Sequence, residues 1–420
     1  MKFINKILVL SSMIFLCTSC VEEYWPELNE SNEGTIVIEG RITNLDGPYT
    51  VKISQALSFQ DPTYRPHVGA VVEIVDDAGA VERLTEVLPG IYQSGPTFKG
   101  VIGRKYKLEI TSQNGKEYES GFEELLAPVN IEKVEAVQES RIVDETLGTT
   151  TEGYQFYVSS ADFNEGKNYF YWEMIETYEY HADYKIEYYY EGVRDYDSKG
   201  PENLPEATPF HNSLFDCWAT DTVKQYFTFT TDQSSLNKVD NKPLHFMEFE
   251  DQKLRFGYSL ETFQYRINES AYYFLKGLEE QNSSGSNFYT TQPYQIVGNI
   301  SCITNPEEVA LGYFMAVGVS EPKRMHTARP PGSVVEDDSW EITCGNAIYN
   351  AFVARLTNYI DRSNETHWPI YVGTILVPSG EGVLVLVPTP AALAYPCVDC
   401  RKKGGVKDKP SFWIDSEVEN

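Results

Sequence analysis

The stretch TIVIEGRIT at residues 35–43 decides the fold, because its apolar residues recur at every second position. Ile36, Ile38 and Ile42 alternate with polar neighbours, and successive side chains of a β-strand point to opposite faces. This period of two predicts a strand with one buried face. The same alternation returns after a short turn in YTVKIS at residues 49–54. The two segments therefore predict a pair of strands at the start of a β domain.

Five further segments alternate in the same way, and turns that contain Gly or Pro separate them at intervals of about eight to twelve residues. They are VVEIVDDAG (71–79), VERLTEV (81–87), GIYQS (90–94), RKYKLEIT (104–111) and KEYES (116–120). Short strands at this spacing are typical of a β-sandwich. Residues 35–127 therefore predict an immunoglobulin-like or transthyretin-like β-sandwich, and by pattern they resemble carboxypeptidase-regulatory-like repeats.

Residues 128–420 predict a larger β-rich domain, with a boundary near Pro128. Alternating or buried strand patterns cover 153–159, 167–180, 183–192, 223–231 and 309–320. The clearest helix is ESAYYFLKGLEEQN at 269–282, whose apolar positions are Ala271, Phe274, Leu275 and Leu278, and whose start Asn268 or Ser270 can cap. The predicted fold class is mostly β with one or a few helices.

The amino terminus predicts a lipoprotein signal peptide over residues 1–19. Lys2 and Lys6 precede an apolar run, Ile7 to Leu16, which is too short to span a bilayer as a helix. The run ends in Leu16-Cys17-Thr18-Ser19-Cys20, which resembles a bacterial lipobox with Cys17 at a position usually held by Leu. Cys20 is therefore the predicted lipidation site. Residues 20–34 predict a lipidated polar tether, and the alternative is a plain secreted protein with a cysteine near its cleavage site.

Glu22 and Glu23 follow Cys20 directly, and this acidic pair resembles the surface-export signal of Bacteroidota lipoproteins. The pattern predicts an outer-membrane lipoprotein exposed at the cell surface, with a periplasmic location as the alternative. Across the chain, 62 acidic residues face 34 Lys and Arg, a formal net charge of -28. This balance excludes a nucleic-acid partner, because phosphate contacts need clustered cations.

Five cysteines remain after the signal peptide and Cys20: Cys217, Cys302, Cys344, Cys397 and Cys400. An exported chain permits disulfides, so all five are candidate disulfide cysteines, although an odd number leaves at least one thiol over. Cys397 and Cys400 form a CxxC, but no second CxxC accompanies it, so that structural disulfide use is favoured over zinc binding or redox chemistry.

Motifs for catalysis are absent from the sequence. It contains no HExxH, GxSxG, Walker A or GxGxxG pattern, so no enzyme, cofactor or metal site is predicted. DFNEGKN at 162–168 is better explained as a turn than as a calcium loop. The Tyr-rich run at 169–196, which includes Tyr178, Tyr180, Tyr184 and Tyr188 to Tyr190, could bind sugar or protein, but strand tyrosines on solvated faces are the favoured interpretation.

The carboxyl-terminal segment CVDCRKKGGVKDKPSFW at 397–413 combines a CxxC, a Gly-Gly turn and a Pro-x-Phe-Trp end. With IVIEGRITNLDGPYTVKIS, GAVVEIVDDAG, LLAPVNIEKV and QIVGNISCITNPEEVALGYFMAVGVS in the same order, the chain resembles a Bacteroidota lipoprotein family called domain of unknown function 4249. The resemblance covers nearly the whole mature chain. It carries over no catalytic residue, and it implies a role beside TonB-dependent outer-membrane receptors.

The closing motif is expected to be a structural clasp rather than a site. Gly404-Gly405 permits a turn with positive φ, and the segment from Pro410 to Trp413 can lay aromatic rings on the core. Cys217, next to Trp218, is a hypothetical partner for one of the CxxC thiols.

Two classes of function follow. The favoured one is a non-enzymatic surface lipoprotein that helps a TonB-dependent receptor to capture or transport a nutrient, with a glycan or peptide as its possible ligand. The alternatives are a surface glycan hydrolase, which requires a cleft with paired carboxylates, and an adhesin or envelope structural protein.

Overall fold

A computed structural model describes residues 34–56, 63–144, 148–163, 166–182, 188–191, 208–209, 214–232, 237–283, 296–328, 367–378, 384–391 and 399–414. Within these residues the chain is mostly β, with four sheets and one α-helix. The predicted fold class is therefore confirmed. No helix among the described residues is both long and apolar enough to cross a membrane.

The strands of the amino-terminal part are β1 (Ile36–Thr43), β2 (Thr50–Gln55), β3 (Arg65–Pro66), β4 (Val71–Asp76), β5 (Val81–Arg83), β6 (Thr85–Leu88), β7 (Ile91–Gln93), β8 (Lys105–Thr111), β9 (Glu117–Ser120) and β10 (Glu123–Glu124). All seven predicted strands are present. The predicted strand at 81–87 is divided at Leu84, because β5 pairs with β4 in one sheet and β6 pairs with β7 in the other.

The central strands are β11 (Ile131–Asp144), β12 (Thr149–Ser160), β13 (Tyr169–His181), β14 (Tyr188–Glu191), β15 (Thr208–Pro209), β16 (Asp216–Thr222), β17 (Phe227–Thr230), β18 (Lys242–Glu248) and β19 (Tyr258–Ile267). After them come α1 (Glu269–Ser283), β20 (Ile300–Cys302), β21 (Leu311–Val319), β22 (Lys323–Thr327), β23 (His367–Pro378) and β24 (Leu384–Ala391). Short 3-10 helices lie at Gln252–Leu254 and Cys400–Lys403.

The amino-terminal sandwich, as we name it, is built from two sheets. One face comes from β21, β1, β2, β7, β6 and β3, and the other from β20, β9, β8, β4, β5 and β10. Aliphatic residues from both faces fill the space between them, with Ile38, Val51 and Leu108 wholly buried. The alternating residues of the sequence therefore supply this core.

Two of these strands come from far along the chain. β21 pairs in parallel with β1, and β20 pairs with β9. Phe314 and Ile300 accordingly lie in the same core as Ile38. The domain boundary at residues 127 and 128 stays a prediction, but segments from both sides of it share these sheets.

A second sandwich, as we name it, lies between the sheet β11-β12-β18 and the strands β16, β13, β17, β19 and β22. Its core includes Phe156, Trp172, Met174 and Leu260, all wholly buried. β19 also pairs with β21 through Tyr265 and Arg266. Strand β21 thus joins the strands of both sandwiches into one 11-stranded sheet.

Helix α1 covers the opposite face of β13, β19 and β21. Ala271 and Leu275 are buried there against Tyr169, Ile267 and Val317, which confirms the predicted helix and its apolar face. The predicted side-chain cap is wrong. The Asn268 amide and the Ser270 hydroxyl instead donate hydrogen bonds to the carboxylate of Glu123, at 2.6 and 3.0 Å.

Candidate functional site

A cleft of about 570 Å³ lies where strand β10 meets the start of helix α1. Its lining residues are Lys105, Phe122, Glu123, Glu124, Asn268, Glu269, Ser270 and Tyr273. The rings of Phe122 and Tyr273 are 49% and 59% exposed, which leaves them free to contact a ligand. Exposed aromatic rings beside polar groups suit ligands that have both apolar and polar faces.

The Glu123 carboxylate lies at the base of this cleft and is only 5% exposed. One oxygen, Oε1, accepts hydrogen bonds from the Tyr313 hydroxyl at 2.6 Å and from Ser270 at 3.0 Å, and Oε2 accepts one from Asn268. Burial raises the pKa of Glu123, and these donors oppose the rise. Because both oxygens are engaged, the residue primarily ties β10, α1 and β21 together.

Another group of aromatic and charged side chains comes from strands β1, β13 and β19. The Arg41 guanidinium pairs with the Glu173 carboxylate at 2.6 Å and lies 4.8 Å from the centre of the Tyr265 ring. The hydroxyls of Tyr265 and Tyr171 donate to the same carboxylate at 2.9 and 3.2 Å. Burial raises the pKa of both tyrosines well above the ordinary value, so they are neutral donors that hold β1 against β13 and β19.

The carboxyl-terminal clasp, residues 399–414, is attached to the second sandwich by covalent and polar contacts. Cys400 forms a disulfide with Cys217, with a Cα–Cα distance of 5.8 Å. The Tyr180 hydroxyl donates to the Cys400 carbonyl at 2.6 Å and accepts from the Gly405 amide at 2.8 Å. The predicted disulfide, and the hypothesis that Cys217 pairs with a CxxC thiol, are therefore confirmed.

The end of the clasp packs aromatic rings on the sheet, as expected. Trp413 is 7% exposed and lies edge-on to Trp218, with ring centres 6.3 Å apart. Arg324 stacks over the Phe412 ring at 3.5 Å. Gly404 has φ +98°, a conformation that favours glycine and ends the 3-10 helix of the clasp.

The other candidate cysteines have different outcomes. The prediction that Cys302 forms a disulfide is wrong, because its thiol is free. It is buried in the amino-terminal sandwich, where no other described cysteine lies. Its sulfur contacts the Thr304 hydroxyl at 3.4 Å. Cys344 and Cys397 lie outside the described residues.

The lipidation site Cys20 and the export residues Glu22 and Glu23 also lie outside the described residues, as do the signal peptide and all of the tether except Gly34. Their assignments stay predictions. The loop proposed for 162–168 is described only at its ends.

The interpretation of the Tyr-rich run as solvated strand tyrosines is wrong for the part that lies in β13. Tyr178 and Tyr180 are 5% and 3% exposed, so they are core residues rather than solvated ones. One face of strand β13 packs in the core of the second sandwich, and the other face packs against helix α1 and its neighbouring residues. Tyr184 lies outside the described residues, and Tyr188 to Tyr190 are described as backbone of β14.

The cleft and its aromatic rings were not found from the sequence. Phe122 and Tyr273 are 151 positions apart, and only the fold brings them to one place. Glu123 is one of 62 acidic residues, and no local pattern distinguishes it from a solvated glutamate. Its burial follows from contacts with Asn268, Ser270 and Tyr313, which lie 145 or more positions away along the chain.

A family model described as "Domain of unknown function (DUF4249)" matches residues 21–323 of this chain. No curated protein matches it. A crystal structure of a DUF4785 family protein from Legionella pneumophila is similar at 10% identity and a TM-score of 0.18. The match covers 55% of this chain and 52% of that chain, so this chain spans about half the length of that structure.

Proposed function

We propose, from the premise that this chain belongs to the DUF4249 family, that it is a non-enzymatic lipoprotein of the outer membrane. In this proposal it is displayed on the cell surface as an accessory of a TonB-dependent receptor in nutrient capture. The observation that carries the proposal is the amino-terminal sequence, in which an h-region of about ten residues leads to Cys20 and the acidic pair Glu22-Glu23.

Lipidation is tested by metabolic labelling with palmitate and by membrane partitioning. The Cys20→Ala variant should lose the label and leave the membrane fraction, because the thiol is the acylated group. Cys17→Leu is the matched control, since this change restores the residue usual at that position and should leave labelling intact. An unlabelled wild-type chain, or a Cys20→Ala form that matures and partitions unchanged, would sink the proposal.

Surface display is tested by protease treatment of intact cells. The wild-type chain should be cut, whereas a Glu22→Lys/Glu23→Lys variant should be protected while remaining lipidated. Equal protection of both chains would place the protein on the periplasmic face. This experiment distinguishes membrane anchoring, which depends on Cys20, from export to the cell surface, which depends on the acidic pair.

Association with a receptor is tested by purification from native membranes in mild detergent. The chain should bring an outer-membrane barrel protein with it, and crosslinking should retain that partner. A monomer in both conditions would contradict the accessory role. The variants Phe122→Ala and Tyr273→Ala then test whether the cleft contributes to receptor association, because exposed aromatic rings frequently anchor sugars and protein partners.

Glycan hydrolysis is the second candidate, and the raised pKa of Glu123 at the base of an acidic cleft is the observation in its favour. Against it, both carboxylate oxygens of Glu123 accept hydrogen bonds from Tyr313, Ser270 and Asn268. An enzyme would release reducing sugar from surface polysaccharides, and Glu123→Gln would abolish that release. A chain that binds oligosaccharides without cleaving them would support the non-enzymatic proposal.

A further inference from the structure

The end of strand β13 brings a histidine and two carboxylates together. His181 lies directly opposite Asp216 in the antiparallel register of β13 and β16. Glu179 precedes His181 by two positions, so that both side chains point to the same face of the sheet. The register thus places three potential metal ligands on one face at the edge of the second sandwich.

The distances fit coordination of one ion. His181 Nε2 lies 3.0 Å from Glu179 Oε1 and 3.4 Å from Asp216 Oδ1, and one ligand atom from each residue lies within 4.8 Å of the others. Ligands at about 2.0–2.2 Å from a zinc ion are about 3–3.5 Å apart in tetrahedral or octahedral geometry. The group therefore needs only small side-chain movements to close on an ion.

The imidazole is held in place by aromatic rings. The Phe256 ring stacks on His181 with centres 3.6 Å apart and planes 24° apart, and the Phe215 ring centre lies at 4.6 Å. A ring fixed in this way has already lost the freedom that metal binding would otherwise remove. The side chains of His181, Glu179 and Asp216 stay 20%, 19% and 44% exposed, so an ion can reach them and keep water in its open positions.

A second observation comes from Trp218, directly opposite Glu179 on the neighbouring strand. This side chain is 8% exposed, and its indole Nε1–H has no hydrogen-bond partner among the described residues. Buried polar groups are nearly always paired, often through ordered water. A hydrated ion on the same sheet face would supply water molecules to which this donor could bind.

Charge favours the same conclusion. Among the described residues, the basic side chain that contacts both Glu179 and Asp216 is the imidazole of His181, in a chain with a formal net charge of -28. The two carboxylates repel each other, and a divalent cation between them removes that repulsion.

We propose that Glu179, His181 and Asp216 bind a divalent transition-metal ion of the zinc class. The imidazole nitrogen selects such an ion over Ca²⁺ and Mg²⁺, which prefer oxygen ligands. The ion joins β13 to β16 next to Cys217, the strand residue that carries the clasp through its disulfide with Cys400. The ion therefore has a structural role: it stabilises the attachment of the clasp to the second sandwich.

Zinc titration of the purified full-length mature chain in detergent tests the proposal. Competition with a chromogenic chelator should show one tight zinc per chain. Asp216→Asn should weaken that binding at least about tenfold, since even the loss of an outer-shell partner costs this much. Asp221→Asn, the same change on the same strand, is the matched control and should bind zinc like the wild type.

The ligand set is read independently by X-ray absorption at the zinc edge, which should show one nitrogen with oxygens and no sulfur. Zinc should raise the thermal midpoint of the wild type and of Asp221→Asn, but not of Asp216→Asn. Asp216→Asn keeps the stacked imidazole, so its fold in chelator should match the wild type, and Glu179→Gln gives a second variant. Wild-type zinc affinity in both variants, a thiolate ligand, or no saturable zinc in the wild type would overturn the proposal.

Discussion

The two sandwiches bury their strands in different ways. The amino-terminal sandwich fills its core with aliphatic residues such as Ile38, Val51 and Leu108. Its buried polar side chains include the hydroxyls of Ser94 and Ser120, which accept from backbone amides. The second sandwich also buries a larger amide side chain: Gln264 accepts from the Trp172 indole at 3.0 Å and donates to the Val129 carbonyl at 2.8 Å. Both cores depend on apolar area and hydrogen bonds, and the second also depends on side-chain pairs matched across its strands.

This difference teaches where a substitution acts locally and where it leaves a buried group without a partner. Loss of an apolar contact costs transfer free energy and leaves a cavity. Loss of one polar partner also imposes the desolvation of the other. Substitutions chosen in pairs, one in each sandwich, can break or sharpen the comparison.

The largest effect is expected at strand β21, which both sandwiches share. Gly312 has φ +99°, and a Cβ there would lie 2.0 Å from the Ile38 carbonyl oxygen. Gly312→Ala should lower the free energy of unfolding by at least about 4 kcal/mol, because backbone strain and a backbone clash add. Urea unfolding measures this. Gly121→Ala, where nothing lies within 4 Å, is the control, and equal stabilities of the two variants would contradict the shared-strand argument.

An ion pair with a buried carboxylate in the second sandwich gives the next largest effect. Glu176 is 4% exposed and accepts from Lys253 Nζ at 2.5 Å and from the Tyr258 hydroxyl at 3.0 Å. Lys253→Met should cost about 3–5 kcal/mol, because it leaves a buried carboxylate without its cation. The double variant Glu176→Leu/Lys253→Met should recover part of that loss.

The matched pair in the amino-terminal sandwich is Lys107, whose partners Glu109 and Glu119 are 42% and 39% exposed. Lys107→Met should cost only about 0–1 kcal/mol, because water screens that pair. Both values come from urea unfolding at constant pH and salt. If the two lysine variants were equally stable, buried polar pairing would not distinguish the two sandwiches.

The Cys217–Cys400 disulfide is expected to stabilise the second sandwich by about 2–5 kcal/mol, since the bond closes a long loop of the unfolded chain. The two cysteines are 183 positions apart. Cys217→Ser/Cys400→Ser should lower the thermal midpoint. A reducing agent should bring the wild type to the same midpoint and leave the variant unchanged. A reductant effect that persists in the variant would point to another bond.

The sequence predicted the amino-terminal sandwich well because its longer strands, such as β2, β4 and β8, bury one face. Ile36, Ile38 and Ile42 sit at a period of two for that physical reason. It predicted helix α1 for the same kind of reason, a single apolar stripe. It could not assign β21 to this sandwich, because a buried strand of period-free apolar residues carries no information about its neighbour.

Strand β13 shows the opposite limit. Both faces of β13 are buried, so aromatic residues occupy odd and even positions alike. The sequence positions of Tyr178 and Tyr180 therefore do not reveal that their side chains are buried. The cleft at Glu123 and the group at His181 were equally hidden. The cleft depends on contacts of β10 with the start of helix α1, and the group at His181 depends on the pairing of β13 with β16. No motif spacing records either arrangement.

The smallest expected effect is the dependence of stability on pH at Glu123, whose pKa burial raises above its ordinary value of 4.5. Between pH 4.5 and the higher pKa, the folded chain holds a proton on Glu123 more tightly than the unfolded chain does. Stability therefore falls as the pH rises through this window, at no more than about 1.4 kcal/mol per pH unit. Glu123→Gln removes the titration and should flatten this part of the profile in urea unfolding. Glu119→Gln, an exposed acid on β9, should keep the wild-type slope, and a steeper loss in Glu123→Gln would reverse the assigned direction of the shift.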